Sequence, residues 1–182
     1  APTNKPAERE GCKLEAGQVR VTKAYRDAYQ KHSEGGWIGM TRPPEFGGMG
    51  LPLALGVTLT EMFMGAAPSF LFFPGLTSAA GHLLEEFAVP ELRDVVVPRL
   101  YSGEWTGTMC LTESQAGTAV GEIKTSATPI PGSDEFAIKG EKTFISVGDH
   151  DLTKNIIHLV LARIPGDPAG TKGISLFLVP KV

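Results

Sequence analysis

The stretch SGEWTGTMCLTE, residues 102–113, marks the point at which the sequence pattern changes. Before Gly103 the spacing of apolar residues is that of helices, whereas after it the period becomes two, as in a β-strand. The sequence therefore predicts an α+β fold with separated layers. An N-terminal helical domain is expected over residues 1–103, and an antiparallel β-domain in the form of a partial barrel over residues 104–182.

Four helices are predicted before this point, and glycine or proline marks an end of each. They begin at residues 14, 53, 74 and 90. Gly35-Gly36 end the first, Pro52 precedes the second, and Pro98 ends or bends the fourth because its nitrogen cannot donate a backbone hydrogen bond. The second helix, residues 53–64, is apolar almost all round, which predicts that it is buried.

Five short strands are predicted after the first. They cover residues 125–130, 136–139, 143–147, 156–162 and 174–179. The last two are near-continuous apolar runs rich in β-branched residues, which predicts buried strands. On the strand at 143–147, Phe144 and Ser146 share one face, so a flat ring could rest on Phe144 while Ser146 reaches its edge. On the residues alone, a core Phe144 beside a solvated Ser146 is the favoured alternative.

The segment MCLTESQAGT, residues 109–118, runs from a strand into a loop with several hydroxyls, small residues and one carboxylate. Exposed N–H groups and hydroxyls at a strand end make a cradle for a polar heterocycle or a phosphate. On the residues alone, an ordinary turn whose Thr and Ser bond their own backbone is the favoured alternative. Residues 47–50, GGMG, lack the spacing and the downstream Lys of a phosphate-binding loop.

The run Asp149-His150-Asp151 suggests a metal site at first sight. Successive positions on a strand point in different directions, however, and no second His lies at ligand spacing, so a polar turn is predicted. His158 interrupts an apolar run and is expected to be a hydrogen-bonded core or interface residue. Neither Cys12 nor Cys110 is expected beside an activating His, so nucleophilic thiol chemistry is not predicted.

Composition excludes several classes of protein. Of the 182 residues, 42% are hydrophobic and 20% are charged, which is typical of a globular chain and not of a disordered one. A net charge of -3 argues against a broad basic surface for nucleic acid, and two cysteines are too few for a disulfide scaffold. No apolar run reaches the roughly 18 residues that cross a membrane. The chain begins with Ala and stops directly after an apolar strand pattern, so we expect a fragment.

Five blocks, in order along the chain, resemble the acyl-CoA dehydrogenase family, and the resemblance runs from about Glu34 to the C-terminus. The blocks are PEFGGMGL at 44–51, SGEWTGTMCLTE at 102–113, IKT at 123–125, GEKTFIS at 140–146 and LAR at 161–163. The resemblance implies a helical domain, a middle β-domain and a C-terminal four-helix domain, before which this chain is truncated. Residues 146–153 and 172–180 resemble the larger-subunit branch, which includes 3-methylmercaptopropionyl-CoA dehydrogenases.

The resemblance implies FAD as the cofactor, bound between the middle domain and the C-terminal helices. Leu111 and Thr112 correspond to the positions whose backbone and hydroxyl bind the pyrimidine edge of the flavin. Met109 corresponds to a flavin-contacting position that is often aromatic. Thr118 corresponds to a hydroxyl, usually Ser, near the acyl-CoA and the cofactor.

Two further cofactor-binding residues follow from the last blocks. Phe144 corresponds to the aromatic residue, usually Trp, that stacks on the flavin, and Ser146 to the hydroxyl, usually Thr, that faces flavin N5. Both substitutions keep the chemistry of the position. Ser114-Gln115 replaces a Pro-Gly-type pair, and Ala119 stands where Asp is common, so this loop departs from the family pattern.

The implied reaction is α,β-dehydrogenation of an acyl-CoA thioester, in which a carboxylate base removes the α-proton while hydride leaves the β-carbon for flavin N5. In the family this base is a Glu in or near the C-terminal helical domain. None of Glu45, Glu61 and Glu113 is therefore assigned as catalytic, and no metal is expected. Residues 71–73 could line an acyl pocket, although a core role is favoured.

The implied partners are the acyl-CoA substrate, an electron-transfer flavoprotein as electron acceptor, and further copies in a homo-oligomer. The implied compartment is the cytoplasm, or the mitochondrial matrix in a eukaryote, with no nucleic acid and no membrane span. The alternatives are an acyl-CoA oxidase or flavin hydroxylase of the same fold, and a non-catalytic acyl-CoA-binding or assembly protein. A chain cut within the β-domain should also expose strand edges and apolar helix faces, which favour association.

Overall fold

Helices dominate the chain up to Gly103, as the apolar spacing predicts. The computed structural model describes residues 4–182, and its helices are α1 (Asn4–Glu10), α2 (Lys23–Glu34), α3 (Leu53–Ala66), α4 (Pro68–Phe87) and α5 (Pro90–Ser102). Three local signals are confirmed: α2 ends before Gly35-Gly36, α3 follows Pro52, and α5 has Pro90 as its first residue. Such signals act through the backbone of the residues that carry them, which makes them readable from the sequence.

The predicted first helix is wrong in its first half. There, β1 (Lys13–Glu15) and β2 (Gln18–Arg20) pair as an antiparallel hairpin. The turn residues Ala16 and Gly17 have φ values of 50° and 78°, as in the two-residue turns whose twist matches that of the flanking strands. Helix α2 begins only at Lys23, after this hairpin.

The prediction that Pro74 begins a helix is wrong, and Pro98 does not end one, since they lie inside α4 and α5. A proline in a helix interior costs a backbone hydrogen bond, roughly 3 kcal/mol. In α5 the turn beyond Pro98 buries Leu100 and Tyr101 almost completely. Burial stabilises by roughly 1.5–3 kcal/mol for each such side chain, which offsets the loss. Helix α5 therefore continues until Gly103, whose φ is 77°.

Helix α3 is not buried, contrary to the prediction from its apolar pattern. Of its 14 residues only Gly56 is buried, and Leu53, Val57 and Met62 are 71%, 61% and 67% exposed. An apolar pattern that continues all round a helix has no direction, so it does not distinguish a core helix from one with an open apolar face. The exposed apolar helix surface that the sequence leads us to expect is present in α3.

The chain forms two units. Of the described residues, the first contains 4–107 together with Val147–Ile156 and Val182. Its core includes a cluster of buried residues that comprises Ala7, Val21, Tyr25, Tyr29, Ile38, Ala67, Phe70 and Phe73. No helix among residues 4–182 combines the length and the apolar character needed to cross a lipid bilayer.

The second unit contains Thr108–Ser146 and Ile157–Lys181. The strands after Gly103 are β3 (Trp105–Cys110), β4 (Ser126–Pro129), β5 (Phe136–Lys139), β6 (Asn155–Ala162) and β7 (Ser175–Pro180). One sheet has the order β3-β6-β7, with β6 and β7 antiparallel, and β4 and β5 form an antiparallel hairpin. A parallel bridge between Ser126 and Arg163 joins β4 to the end of β6. The α+β class is confirmed, and the strands form small sheets rather than a closed barrel.

Candidate functional site

The carboxylate of Glu113 organises the loop that follows β3. It is 5% exposed and accepts five hydrogen bonds: from Thr125 Oγ1 at 2.6 Å, Thr125 N at 3.0 Å, Lys124 N at 2.7 Å, Gln115 Nε2 at 2.6 Å and Lys142 Nζ at 2.9 Å. Burial raises the pKa of this carboxyl, but the donors, led by the Thr125 hydroxyl, outweigh burial and hold the pKa well below its usual range. Glu113 is therefore ionised throughout the neutral range.

Lys142 joins the two segments that the sequence singles out. Its Nζ donates to Glu113 Oε1 at 2.9 Å and to the carbonyl oxygen of Leu111 at 3.1 Å. The side chains of this ion pair are only 10% and 4% exposed. Next to it, the N–H of Thr143 donates to the carbonyl oxygen of Thr112 at 2.9 Å. The strand end at 111–113 and the segment at 142–144 therefore lie side by side.

Phe144 presents its ring to solvent. The residue is 92% exposed, which rules out the alternative of a core phenylalanine. The predicted strand at 143–147 is wrong, because Phe144 and Val147 adopt φ values of 56° and 51°, in the left-handed region that disfavours side chains. Phe144 and the exposed Ser146 thus do not share a strand face. Strained backbone of this kind is concentrated at functional sites.

The remaining predicted site residues lie on β3 and its loop. Met109 is 37% exposed, on the face of β3 opposite the fully buried Thr106 and Thr108. Leu111 and Thr112 are half-buried, and Thr118 is exposed. Within residues 4–182, no hydrogen bond joins the side chains of Thr118, Phe144 or Ser146 to the other predicted site residues. The structure therefore brings the 111–113 and 142–144 segments together and leaves Thr118 and Ser146 without a direct link to them.

This arrangement suits a flat, polar heterocycle. Thr112 offers a half-buried hydroxyl and backbone groups, and the Phe144 ring offers an apolar surface on which a flat ring can stack. In the residue before Phe144, Thr143 Oγ1 is buried and has no hydrogen-bond partner among the described residues. An unpaired buried hydroxyl is costly unless a bound polar group satisfies it.

Sequence reasoning missed the roles of Glu113 and Lys142. Both residues lie in the motif blocks, but nothing local indicates that they pair. They are 29 residues apart in the chain. The one local signal for Lys142 is its position two residues before the aromatic Phe144. The same spacing also fits a lysine that is exposed to solvent, so it does not predict a buried ion pair.

One of the two cysteines lies beside a histidine, although nothing indicates that this histidine activates it. Cys110 Sγ lies 3.8 Å from His158 Nδ1, and Thr108 Oγ1 lies 2.7 Å from the same nitrogen. Burial raises the pKa of the Cys110 thiol, which disfavours the thiolate and hence nucleophilic chemistry. His158 is the hydrogen-bonded histidine that the sequence predicts.

His150 is the buried member of the polar run 149–151. It is 3% exposed, and its ring packs edge-on against Phe73 at 5.4 Å between centroids. The N–H of Leu152 donates to Nδ1 at 3.2 Å, so Nε2 carries the proton and faces Thr106 Oγ1 at 3.0 Å. Because both ring nitrogens are engaged, His150 is not placed to ligate a metal.

The first unit contains an apolar cavity of about 500 Å³. Residues of α3 and α4 that line it include Leu53, Val57, Phe63, Met64, Leu71 and Phe72. Phe73, by contrast, belongs to the core. Within the run 71–73, Leu71 and Phe72 therefore line the cavity, whereas Phe73 has the core role.

Comparison with known proteins divides the chain between residues 104 and 108, close to the point at which the sequence pattern changes. Residues 7–104 match the family description "Acyl-CoA dehydrogenase, N-terminal domain", and residues 108–182 match "Acyl-CoA dehydrogenase, middle domain". Over its whole length the chain is 41% identical to 3-methylmercaptopropionyl-CoA dehydrogenase of Ruegeria pomeroyi, of which it covers 31%. Over 99% of its length it is 40% identical to a butyryl-CoA dehydrogenase of Syntrophomonas wolfei, of which it covers 30%.

Solved structures show the same fold. The crystal structure of an acyl-CoA dehydrogenase complexed with FAD from Bacillus anthracis is similar with a TM-score of 0.73 and 26% identity, over 87% of this chain and 26% of that one. The present chain spans less than a third of the length of the curated relatives named above.

Proposed function

The chain belongs to the acyl-CoA dehydrogenase family, and on that premise we propose that it supplies the N-terminal and middle-domain part of an FAD-dependent enzyme that dehydrogenates acyl-CoA thioesters at the α,β bond. The observation that carries this proposal is the exposed Phe144 ring beside the segment 111–113, which a buried ion pair organises. The stacking surface, the half-buried hydroxyl and the unpaired Thr143 Oγ1 all fit a flavin.

The proposed roles follow from this arrangement. Leu111 and Thr112 bind the pyrimidine edge of the flavin, and Met109 contacts the ring from the exposed face of β3. Phe144 stacks on the ring and excludes water from it, while Ser146 directs its hydroxyl toward N5. Thr118 lies near the acyl-CoA and the cofactor. When bound, FAD accepts the hydride that leaves the β-carbon of the substrate.

No residue of this chain is assigned as the base that removes the α-proton. Glu113 is excluded by its surroundings, because five donors stabilise the carboxylate and depress its pKa, so it accepts a proton poorly. Glu45 and Glu61 do not occupy the position that the base has in the family pattern. We propose that a carboxylate outside these 182 residues performs this step.

The proposed substrate is an acyl-CoA, and the cavity beside α3 and α4 is proposed to receive its acyl chain. A volume of about 500 Å³ lies within the range of small-molecule sites, roughly 300–1,000 Å³, and the lining is apolar. An electron-transfer flavoprotein is the proposed electron acceptor, and a homo-oligomer the proposed assembly. The exposed apolar surface of α3 supports association with further protein.

The test is FAD binding by the natural polypeptide that carries this sequence, measured by absorbance after purification and by titration of the apoprotein. Phe144→Ala should weaken FAD binding by about 1–3 kcal/mol, roughly 5- to 150-fold, the range for loss of one aromatic stacking partner. Phe87→Ala is the matched control, since Phe87 is also highly exposed, at 82%, and lies on α4. A colourless protein that takes up no FAD would refute the proposal. Rapid reaction of the reduced protein with oxygen would favour the oxidase alternative.

A further inference from the structure

The ion pair of Lys142 and Glu113 is more than an internal brace. We propose that Lys142 is a positioning residue for the flavin: through the peptide group between Leu111 and Thr112 it strengthens binding at the pyrimidine edge and raises the reduction potential, while Glu113 orients it and balances its charge. This inference rests on the proposed function, because it takes residues 111–112 as the flavin edge.

The burial of the pair is the first step. Both side chains are at most 10% exposed, and removing two charges from water costs several kcal/mol per ion, which their attraction rarely exceeds. Replacement of a buried ion pair by apolar side chains of similar volume is often neutral or stabilising. Stability alone therefore does not account for a lysine at this position.

The second step is the path from the ammonium, through one hydrogen bond and one peptide group, to the proposed flavin edge. Lys142 Nζ donates to the carbonyl oxygen of Leu111 at 3.1 Å, and this oxygen belongs to the same planar peptide group as the N–H of Thr112. A cation on the carbonyl oxygen polarises the peptide group and makes its N–H a stronger donor. The ammonium thus acts, by polarisation, on the backbone N–H that is proposed to bind the pyrimidine edge.

The third step is that the same residue aligns the stacking ring. Lys142 is followed by Thr143, whose N–H donates to the carbonyl oxygen of Thr112 at 2.9 Å, and then by the exposed Phe144. One anchored lysine therefore sets the position of both the edge donor and the aromatic surface. Two-electron reduction increases the negative charge on the pyrimidine edge of a flavin, so a nearby cation favours the reduced state.

The fourth step distinguishes the two members of the pair. The Glu113 carboxylate accepts four further hydrogen bonds, from Gln115, Lys124 and Thr125, and none of these donors belongs to the Leu111–Thr112 peptide group. The ammonium is the charge in contact with the Leu111 carbonyl. Removal of the two charges should therefore move the reduction potential in opposite directions, which loss of a brace would not do.

The experiment uses the FAD-loaded natural polypeptide and measures FAD dissociation constants, midpoint potentials and thermal unfolding. Lys142→Met should raise the FAD dissociation constant about tenfold and lower the midpoint potential by about 30 mV. For a two-electron couple, this shift in potential is a tenfold change in the equilibrium constant for reduction. Glu113→Gln should raise the potential, and Lys142→Arg should keep the wild-type value. Lys154→Met, which removes an exposed ion pair with Glu104 at 3.3 Å, is the matched control and should change neither quantity.

Potentials that shift in the same direction in Lys142→Met and Glu113→Gln, or that stay unchanged while thermal stability falls, would overturn the inference and leave a brace. So would a Lys142→Arg protein that shifts as far as Lys142→Met. If Lys142→Met loses FAD entirely, Glu113→Gln decides: a raised potential supports the inference, and an unchanged or lowered potential overturns it. Failure of the wild-type protein to bind FAD would refute the proposed function itself.

Discussion

His32 should make the first unit sensitive to mild acid. It is 7% exposed on α2 and contacts Phe63 and Phe70 edge-on, with ring centroids 5.0 and 5.7 Å away. Burial lowers the pKa of the imidazole from 6.5 to about 4. The unfolded chain therefore takes up a proton where the folded chain does not, so the free energy of unfolding falls as the pH falls from 6.5 toward 4. The resulting loss is about 2 kcal/mol by pH 5 and about 3 kcal/mol by pH 4.

Urea unfolding at several pH values, followed by tryptophan fluorescence, measures this loss. Trp37 is a suitable probe because its ring centroid lies 5.7 Å from that of Phe63 in the same aromatic cluster. Other carboxyl groups also titrate, so the difference between wild type and His32→Gln isolates the contribution of His32, and the exposed His82→Gln serves as control. If wild type and His32→Gln lose equal free energy between about pH 7 and pH 5, burial does not keep His32 neutral and the reasoning fails.

Two further predictions concern stability. Glu113→Gln should lower the free energy of unfolding by about 3–5 kcal/mol, because it leaves the buried ammonium of Lys142 without its counter-charge. Lys154→Met, which removes the exposed pair with Glu104, should lower it by less than about 1 kcal/mol. Comparable losses for the two variants in denaturant titrations would contradict this prediction. Gly81→Ala should destabilise by about 1–3 kcal/mol, since the new Cβ would lie 2.5 Å from Tyr101 Cε1. In Gly65→Ala, on α3, the new Cβ would have no other atom within 4 Å, so this substitution should stabilise the fold by up to about 1 kcal/mol. Thermal unfolding of the two variants shows whether one is destabilised and the other stabilised.

Element boundaries that depend on a single residue were predictable. Gly35-Gly36 end α2 and Pro90 begins α5 because capping is a property of the local backbone. The residues 136–139 form a strand with the predicted bounds. Prediction failed where two local signals competed, as at Ala16-Gly17, where a hairpin turn interrupts apolar spacing that also fits a helix.

Burial was the least predictable property. The all-round apolar pattern of α3 carries no directional information, and its open surface results from which neighbours the rest of the chain supplies. Likewise, the two-residue spacing of Phe144 and Ser146 implies a shared face only on extended backbone. The positive φ of Phe144 removes that condition and leaves its ring exposed.

The sequence by itself determined the α+β class, the family and the segments proposed to meet the flavin, because these depend on the order of motifs and on local backbone preferences. Only the tertiary structure decided that Lys142 pairs with Glu113, that it bonds the Leu111 carbonyl, and that Thr143 aligns with Thr112. These contacts join residues about 30 positions apart, and they form only when the loop after β3 folds against the later segment. Short-range preferences act within a few residues, whereas the partners of a buried charge depend on the whole unit.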